Sequence, residues 1–155
     1  MENPIKSIVA FNRKAGLLDD GHDDALESSM IIEEALEGYD LVDLAEMLDS
    51  DDCTPKGMSR KIIDIAENCQ SSMYPKAITE VQSLDKAVDQ FIFAVGAMAK
   101  LGLSPQQITQ AVNIVVKANN TKLGQPKDSR GKLMKPEDFV GPEPELQALL
   151  DKRGE

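Results

Sequence analysis

Residues 30–40, MIIEEALEGYD, place three glutamates inside a pattern that is otherwise typical of an amphipathic helix. On a helical wheel with Glu33 at zero, Glu37 falls at about 40°, while the apolar residues Leu26 and Met30 fall at about 20° and 60°. The carboxylates therefore interrupt the apolar stripe instead of facing away from it. Further apolar residues at other angles predict a helix that packs on more than one side.

A second stretch, residues 84–102 (LDKAVDQFIFAVGAMAKLG), shows the same arrangement. With Asp85 at zero, Asp89 falls at about 40° and Ile92 at about 20° on the other side, so both carboxylates lie in line with apolar residues. Gly96 lies on this face and costs roughly 1 kcal/mol of helix propensity against Ala. We expect a glycine to be tolerated there if another helix or a ligand comes close.

Carboxylates in an apolar stripe are costly, because like charges at i,i+4 repel and an unpaired buried charge costs several kcal/mol. Few basic residues are placed to neutralise them, since Lys86 points about 100° away from Asp85. A divalent cation would solve the problem. Mg²⁺, with Mn²⁺ as a substitute, takes carboxylate oxygens and keeps waters and phosphates as further ligands. The alternatives are a solvated acidic face and a protonated or partly wet acidic core.

The composition indicates the number of domains, the kind of core and the partners that the chain can have. The chain has 155 residues, 41% hydrophobic and only 4% aromatic, which predicts one domain, residues 1–155, with an aliphatic core. Its formal net charge of −10 argues against binding to nucleic acid or to an acidic membrane. The chain has no signal-peptide pattern and no run of eighteen apolar residues, so we expect a cytoplasmic protein. The two cysteines are expected to be free thiols.

The order of patterns predicts an all-α bundle of about five helices, followed by an irregular basic tail over residues 121–155. No segment alternates with period two, so no sheet is expected. Helices are predicted at about residues 5–15, 24–48, 59–70, 78 or 84–101, and 104–119, with a short one at 145–152. The Ser104-Pro105 pair is a helix-start signal. Limited core area and a helix that is apolar on several sides predict oligomers formed through helix faces.

Three elements, in this order, resemble a known family. EEALE is similar to the EExxE signature of the all-α nucleoside triphosphate pyrophosphohydrolases, the MazG-like and phosphoribosyl-ATP pyrophosphohydrolase-like group. LDKAVDQFIFAVGAMAKLGL resembles that group's second acidic helix. The tail resembles its A-N-x-S-K element followed by G-K-x-x-K-P, carried here by Ala118, Asn119, Thr121 and Lys122, then Gly131, Lys132, Lys135 and Pro136. Together the elements span roughly residues 10–142.

The resemblance implies a homodimer or dimer of dimers that hydrolyses a nucleoside or deoxynucleoside triphosphate to the monophosphate and pyrophosphate with Mg²⁺. The implied metal ligands are Glu33, Glu34, Glu37, Asp85 and Asp89. Glu34 would orient or deprotonate the attacking water, and no covalent nucleophile is needed. Relatives often carry ExxD on the second acidic helix, whereas position 86 is Lys, so Asp85 and Asp89 take the place of that pair. That departure favours the alternative, a non-catalytic helical module that binds nucleotide or cation.

The substrate side of the implied site falls mainly in the tail, which is predicted to pack over the acidic residues. Four of the five basic residues within this fourteen-residue stretch are predicted to close over phosphates: Lys122, Arg130, Lys132 and Lys135. The alternative is a solvated loop. Asn119 would bond sugar or base, or else cap a helix C-terminus. Asn12 stands where relatives have a polar residue on the first helix and would read the base. The pattern assigns no role to residues 49–77.

Overall fold

The structure is a computed structural model that describes residues 3–36, 57, 79–128 and 131–154. These residues form five α-helices and no β-strand, which confirms the predicted all-α class. The helices are α1 (Pro4–Lys14), α2 (Asp24–Leu36), α3 (Glu80–Lys100), α4 (Pro105–Asn120) and α5 (Glu143–Leu150). The predicted helix at 59–70 and the continuation of the second helix to residue 48 lie outside the described residues.

The helix ends follow local sequence signals. The Asn3 side chain accepts hydrogen bonds from the backbone N–H groups of Ile5 and Lys6, so α1 begins at Pro4. At α4, the Ser104 hydroxyl accepts from the Gln107 N–H while the Gln107 side chain accepts from the Ser104 N–H. This reciprocal cap satisfies two backbone donors that the helix itself cannot satisfy. The predicted start at Ser104-Pro105 is therefore confirmed.

The described chain divides into two compact units. The first unit comprises Met1–Glu27 and Ile92–Glu155, and the second comprises Ser28–Phe91. The boundaries fall inside α2 and inside α3, so both helices contribute residues to both units.

The core of the first unit is aliphatic, as the composition predicts. Its buried members come from α1, α3, α4 and the turn between α3 and α4: Val9, Val95, Ala99, Leu103 and Ile108. Val95 and Ile108 are completely buried. Burying a side chain of this size contributes about 1.5–3 kcal/mol relative to leaving it exposed. These contacts place the end of α3 and the start of α4 beside α1.

One polar pair is buried in the first unit. Lys100 Nζ at the end of α3 donates to Glu27 Oε1 on α2 at 2.6 Å, and the Glu27 residue is 4% exposed. A carboxylate this deeply buried requires such a partner.

No described helix is by itself long and apolar enough to span a membrane; α3 and α4 reach that size only as a pair, across a 113° bend.

Candidate functional site

The predicted metal ligands that the structure describes lie on two helices. Glu33 and Glu34 belong to α2, and Asp85 and Asp89 belong to α3; all four fall in the second compact unit. Glu34 and Asp89 are half-buried, whereas Glu33 and Asp85 are exposed. Glu37 lies outside the described residues. Tertiary structure thus separates the acids into two environments that the sequence pattern did not distinguish.

The expectation that these acids stand in an enclosed apolar interior is wrong for Glu33 and Asp85. Of the apolar residues in line with them, Leu26 is 50% and Val81 76% exposed, whereas Met30 and Ile92 are half-buried. Exposed carboxylates keep their hydration, so Glu33 and Asp85 do not need a cation to offset a cost of burial. Among the described acids of this set, only Glu34 and Asp89 lose part of their hydration.

Within the described ranges, no three His, Cys, Asp or Glu side chains are grouped closely enough to hold a metal ion. The donor set nevertheless has the chemistry of a Mg²⁺ site, because every predicted ligand is a carboxylate and Mg²⁺ prefers oxygen. The metal site stays a prediction.

The basic tail brings two predicted substrate residues to one aromatic ring and a third to one of them. Lys122 Nζ and Lys135 Nζ each lie 4.9 Å from the centroid of the Phe139 ring. Lys122 Nζ also donates a 2.6 Å hydrogen bond to Asn119 Oδ1. The ring attracts both cations to one place, and the amide oxygen fixes one of them. The sequence pattern placed these residues in one segment but did not predict their convergence.

Phe139 was not among the residues predicted from the sequence, although it contacts two of them. It is the only aromatic residue in residues 121–155, and it is half-buried in the structure. A single aromatic beside several lysines is a signal for cation–π contact, so the sequence did contain a clue.

Asn119 is not the cap of its helix. The C-terminal cap of α4 is Thr121, whose backbone N–H donates to the Asn119 carbonyl oxygen. The Asn119 side chain instead accepts from Lys122. The capping alternative is therefore wrong, and the amide nitrogen of this exposed side chain makes no hydrogen bond within the described ranges.

The tail is more ordered than the predicted irregular loop. Lys127 and Leu133 form an antiparallel bridge, and the Asp128 N–H donates to the Lys132 carbonyl oxygen at 2.8 Å. Gly131, at φ 78°, closes the turn by donating to the Asp128 carbonyl. Asp and Gly three residues apart are a common sequence signal for such a backbone hydrogen bond. Lys132 is exposed at the base of this small hairpin, and Arg130 lies outside the described residues.

Asn12 is buried, at 5% exposure, on the inner face of α1. Its amide nitrogen lies beside Gly96 of α3, which confirms the expectation that a neighbouring helix approaches that glycine. This position gives Asn12 a packing role and leaves it little surface for a ligand. Base reading by Asn12 stays a prediction.

Comparisons of the chain with protein-family models, with curated proteins and with solved structures found no match.

Proposed function

We propose that this protein is a Mg²⁺-dependent pyrophosphohydrolase that converts a nucleoside or deoxynucleoside triphosphate to the monophosphate and pyrophosphate. The observation that supports this most is the convergence of Lys122 and Lys135 on the Phe139 ring, with Asn119 beside them. Two ammonium groups held to one ring are no more than about 10 Å apart, because each lies 4.9 Å from the same centroid. Two phosphate groups of one triphosphate can therefore meet both cations.

The tail serves as the phosphate clamp. Lysine ammonium groups act as point charges with three donors each, which suits the many oxygens of a polyphosphate. Lys132, in the small hairpin, adds a third cation, and Arg130 a fourth. In a chain with a net charge of −10, these cations give an anionic substrate a place to bind.

The acids serve the reaction. Glu33, Glu34, Glu37, Asp85 and Asp89 would hold Mg²⁺, which when bound would neutralise phosphate charge and make a bound water more acidic. Glu34 accepts a proton from the attacking water. The water oxygen forms its bond to the α-phosphorus as the bond to the leaving pyrophosphate breaks. No covalent enzyme intermediate is formed.

We further propose that the protein self-associates through α3. Four apolar residues follow one another at i, i+3, i+7 and i+10 and are all more than 40% exposed: Val81, Leu84, Val88 and Phe91. This spacing is that of a helix–helix seam, and a second copy of the chain offers the matching stripe. Light scattering at micromolar concentration is expected to give a dimer or tetramer, and Leu84→Glu a smaller species. A monomeric wild-type protein contradicts this proposal.

The function is tested by incubating the protein with each of the common ribo- and deoxyribonucleoside triphosphates and measuring pyrophosphate and monophosphate. We expect turnover of at least one triphosphate with Mg²⁺ and none after chelation. Glu34→Gln should abolish turnover and keep the helical circular-dichroism signal. Glu80→Gln is the matched control, since Glu80 is an exposed acid in the first turn of α3 and should be dispensable.

Two outcomes would contradict the proposal in different ways. Mg²⁺ binding with no turnover of any triphosphate identifies a non-catalytic binding module, the alternative that Lys86 favours. Full activity in Glu34→Gln removes Glu34 from the proton-accepting role.

A further inference from the structure

A cavity of about 600 Å³ lies in the first compact unit, between α1, the turn that joins α3 to α4, and the C-terminal end of α5. Its volume falls in the range of cavities that bind small organic molecules. The floor is apolar and is made of buried side chains: Val9, Ala99, Leu103 and Leu149. The described residues that line it include none of the predicted metal or substrate residues.

Hydrogen bonds between chain segments hold the walls of this cavity in place. The Gln107 side chain, already engaged in the reciprocal cap with Ser104, donates from Nε2 to the Lys152 carbonyl oxygen at 3.0 Å. Arg153 donates from Nη1 to the Leu101 carbonyl oxygen at 3.4 Å. The start of α4 and the turn before it are thus tied to the residues that follow α5. A cavity whose walls are already fixed binds its ligand with a smaller loss of conformational entropy.

The charges around the cavity have one sign. Among the described residues that line it, Arg13 and Lys152 are the only charged ones, and none is acidic. This is notable in a chain with 27 acidic and 17 basic residues. Neither cation forms an ion pair within the described ranges. The Gln110 side chain also lines the cavity. It makes no hydrogen bond within the described ranges and can donate one to a ligand.

From these features we propose that the cavity binds a small organic anion, in which an apolar body covers the floor and an acidic group meets Arg13 and Lys152. Burial of the ligand's apolar body supplies affinity, and the two cations favour ligands that carry a negative charge. This site is separate from the triphosphate site proposed above and does not depend on it.

Two fluorescent probes test this proposal, 1-anilinonaphthalene-8-sulfonate and its uncharged relative N-phenyl-1-naphthylamine. We expect the sulfonate to bind with one site per chain, and its affinity to fall with added salt. Amide shifts in ¹⁵N-labelled protein should concentrate at Ser104, Gln110 and Lys152. Arg13→Ala/Lys152→Ala should weaken the sulfonate about fivefold, because the variant loses both cations that meet the acidic group. The same variant should bind the uncharged probe unchanged.

Lys14→Ala is the matched control, because it removes a neighbouring cation of α1 that does not line the cavity. It should bind both probes as the wild type does. The proposal is overturned if the double variant binds the sulfonate as tightly as the wild type. It is also overturned if the shifts fall instead at Val115, Val116 and Leu146, which line a separate apolar groove between α4 and α5.

Discussion

The side-chain amide nitrogen of Asn12 lies 2.8 Å from the point that a Cβ atom at position 96 would occupy. A glycine at position 96 therefore allows α1 and α3 to approach with a polar side chain between them. Glycine lowers the helix propensity at this site by about 1 kcal/mol relative to alanine. The close approach of α1 explains why glycine is nevertheless the residue that fits there.

Gly96→Ala should destabilise the protein, because the new methyl group collides with Asn12 in a packed interior. We expect a loss of about 1–2 kcal/mol in the free energy of unfolding, after the gain in helix propensity is subtracted from a typical overpacking cost. Urea unfolding followed by circular dichroism measures it.

Asn12→Ala provides the control for that prediction. In the Asn12→Ala background the methyl group finds space, so Gly96→Ala should be neutral or stabilising, and the two changes should be non-additive by at least about 1 kcal/mol. Additive effects would show that the two side chains do not meet in solution.

Lys100→Met should be strongly destabilising, because it leaves the Glu27 carboxylate buried without its partner at 2.6 Å. Breaking a buried pair in this way typically costs about 3–5 kcal/mol. Lys117→Met is the matched control: it removes the same charge from an ion pair with Glu145 whose side chains are both more than half exposed. Exposed pairs contribute about 0–1 kcal/mol, so this variant should unfold almost as the wild type does. Equal losses in the two variants would contradict burial of the Glu27 pair.

Lys122→Ala and Lys135→Ala should each weaken the binding of tripolyphosphate, a probe that carries the phosphate chain without base or sugar. Losing one exposed cation should lower affinity by about twofold to fivefold at low salt, and less at high salt. Phe139→Leu should have a smaller effect in the same direction, since the ring only holds the lysines in place. Isothermal titration measures these changes. Lys6→Ala, which removes a cation of α1, serves as the control and should leave affinity unchanged.

Mg²⁺ should raise the thermal unfolding midpoint, because a ligand that binds only the folded state stabilises it by mass action. At a hundred times the dissociation constant the gain is about 2.7 kcal/mol. Asp89→Asn should abolish this gain, since Asp89 is half-buried and is a predicted ligand. Asp138→Asn removes the same charge from an exposed position in the tail and should keep the gain. A Mg²⁺ response that survives Asp89→Asn would remove Asp89 from the ligand set.

Ser104→Ala should cost about 1 kcal/mol in the free energy of unfolding, because the Gln107 N–H at the start of α4 loses its acceptor, the Ser104 hydroxyl. Ser104→Gly should cost only a few tenths, since glycine leaves the N-terminal donors open to water. Chemical denaturation of both variants checks the difference. Identical losses would show that the hydroxyl does not act as a cap.

Local sequence signals predicted most helix positions well. Ser104-Pro105 marked the start of α4, and the 3.6-residue period marked α1 and most of α3. The antiparallel bridge between Lys127 and Leu133 was not predicted, because a single bridge leaves no period-two alternation in the sequence. The short last helix was placed two residues late, since Pro142 and not a polar cap precedes it.

The sequence by itself determined that the described chain is helical, that its core is aliphatic, and that acids share a helical face with apolar residues. These properties follow from hydrogen bonds and side-chain spacing within one helix. Only the tertiary structure decided that Glu33 and Asp85 are exposed, that Asn12 meets Gly96, and that Lys122 and Lys135 share one ring. A helical wheel gives the angle at which a side chain leaves its own helix. What covers that angle depends on which distant segments pack there.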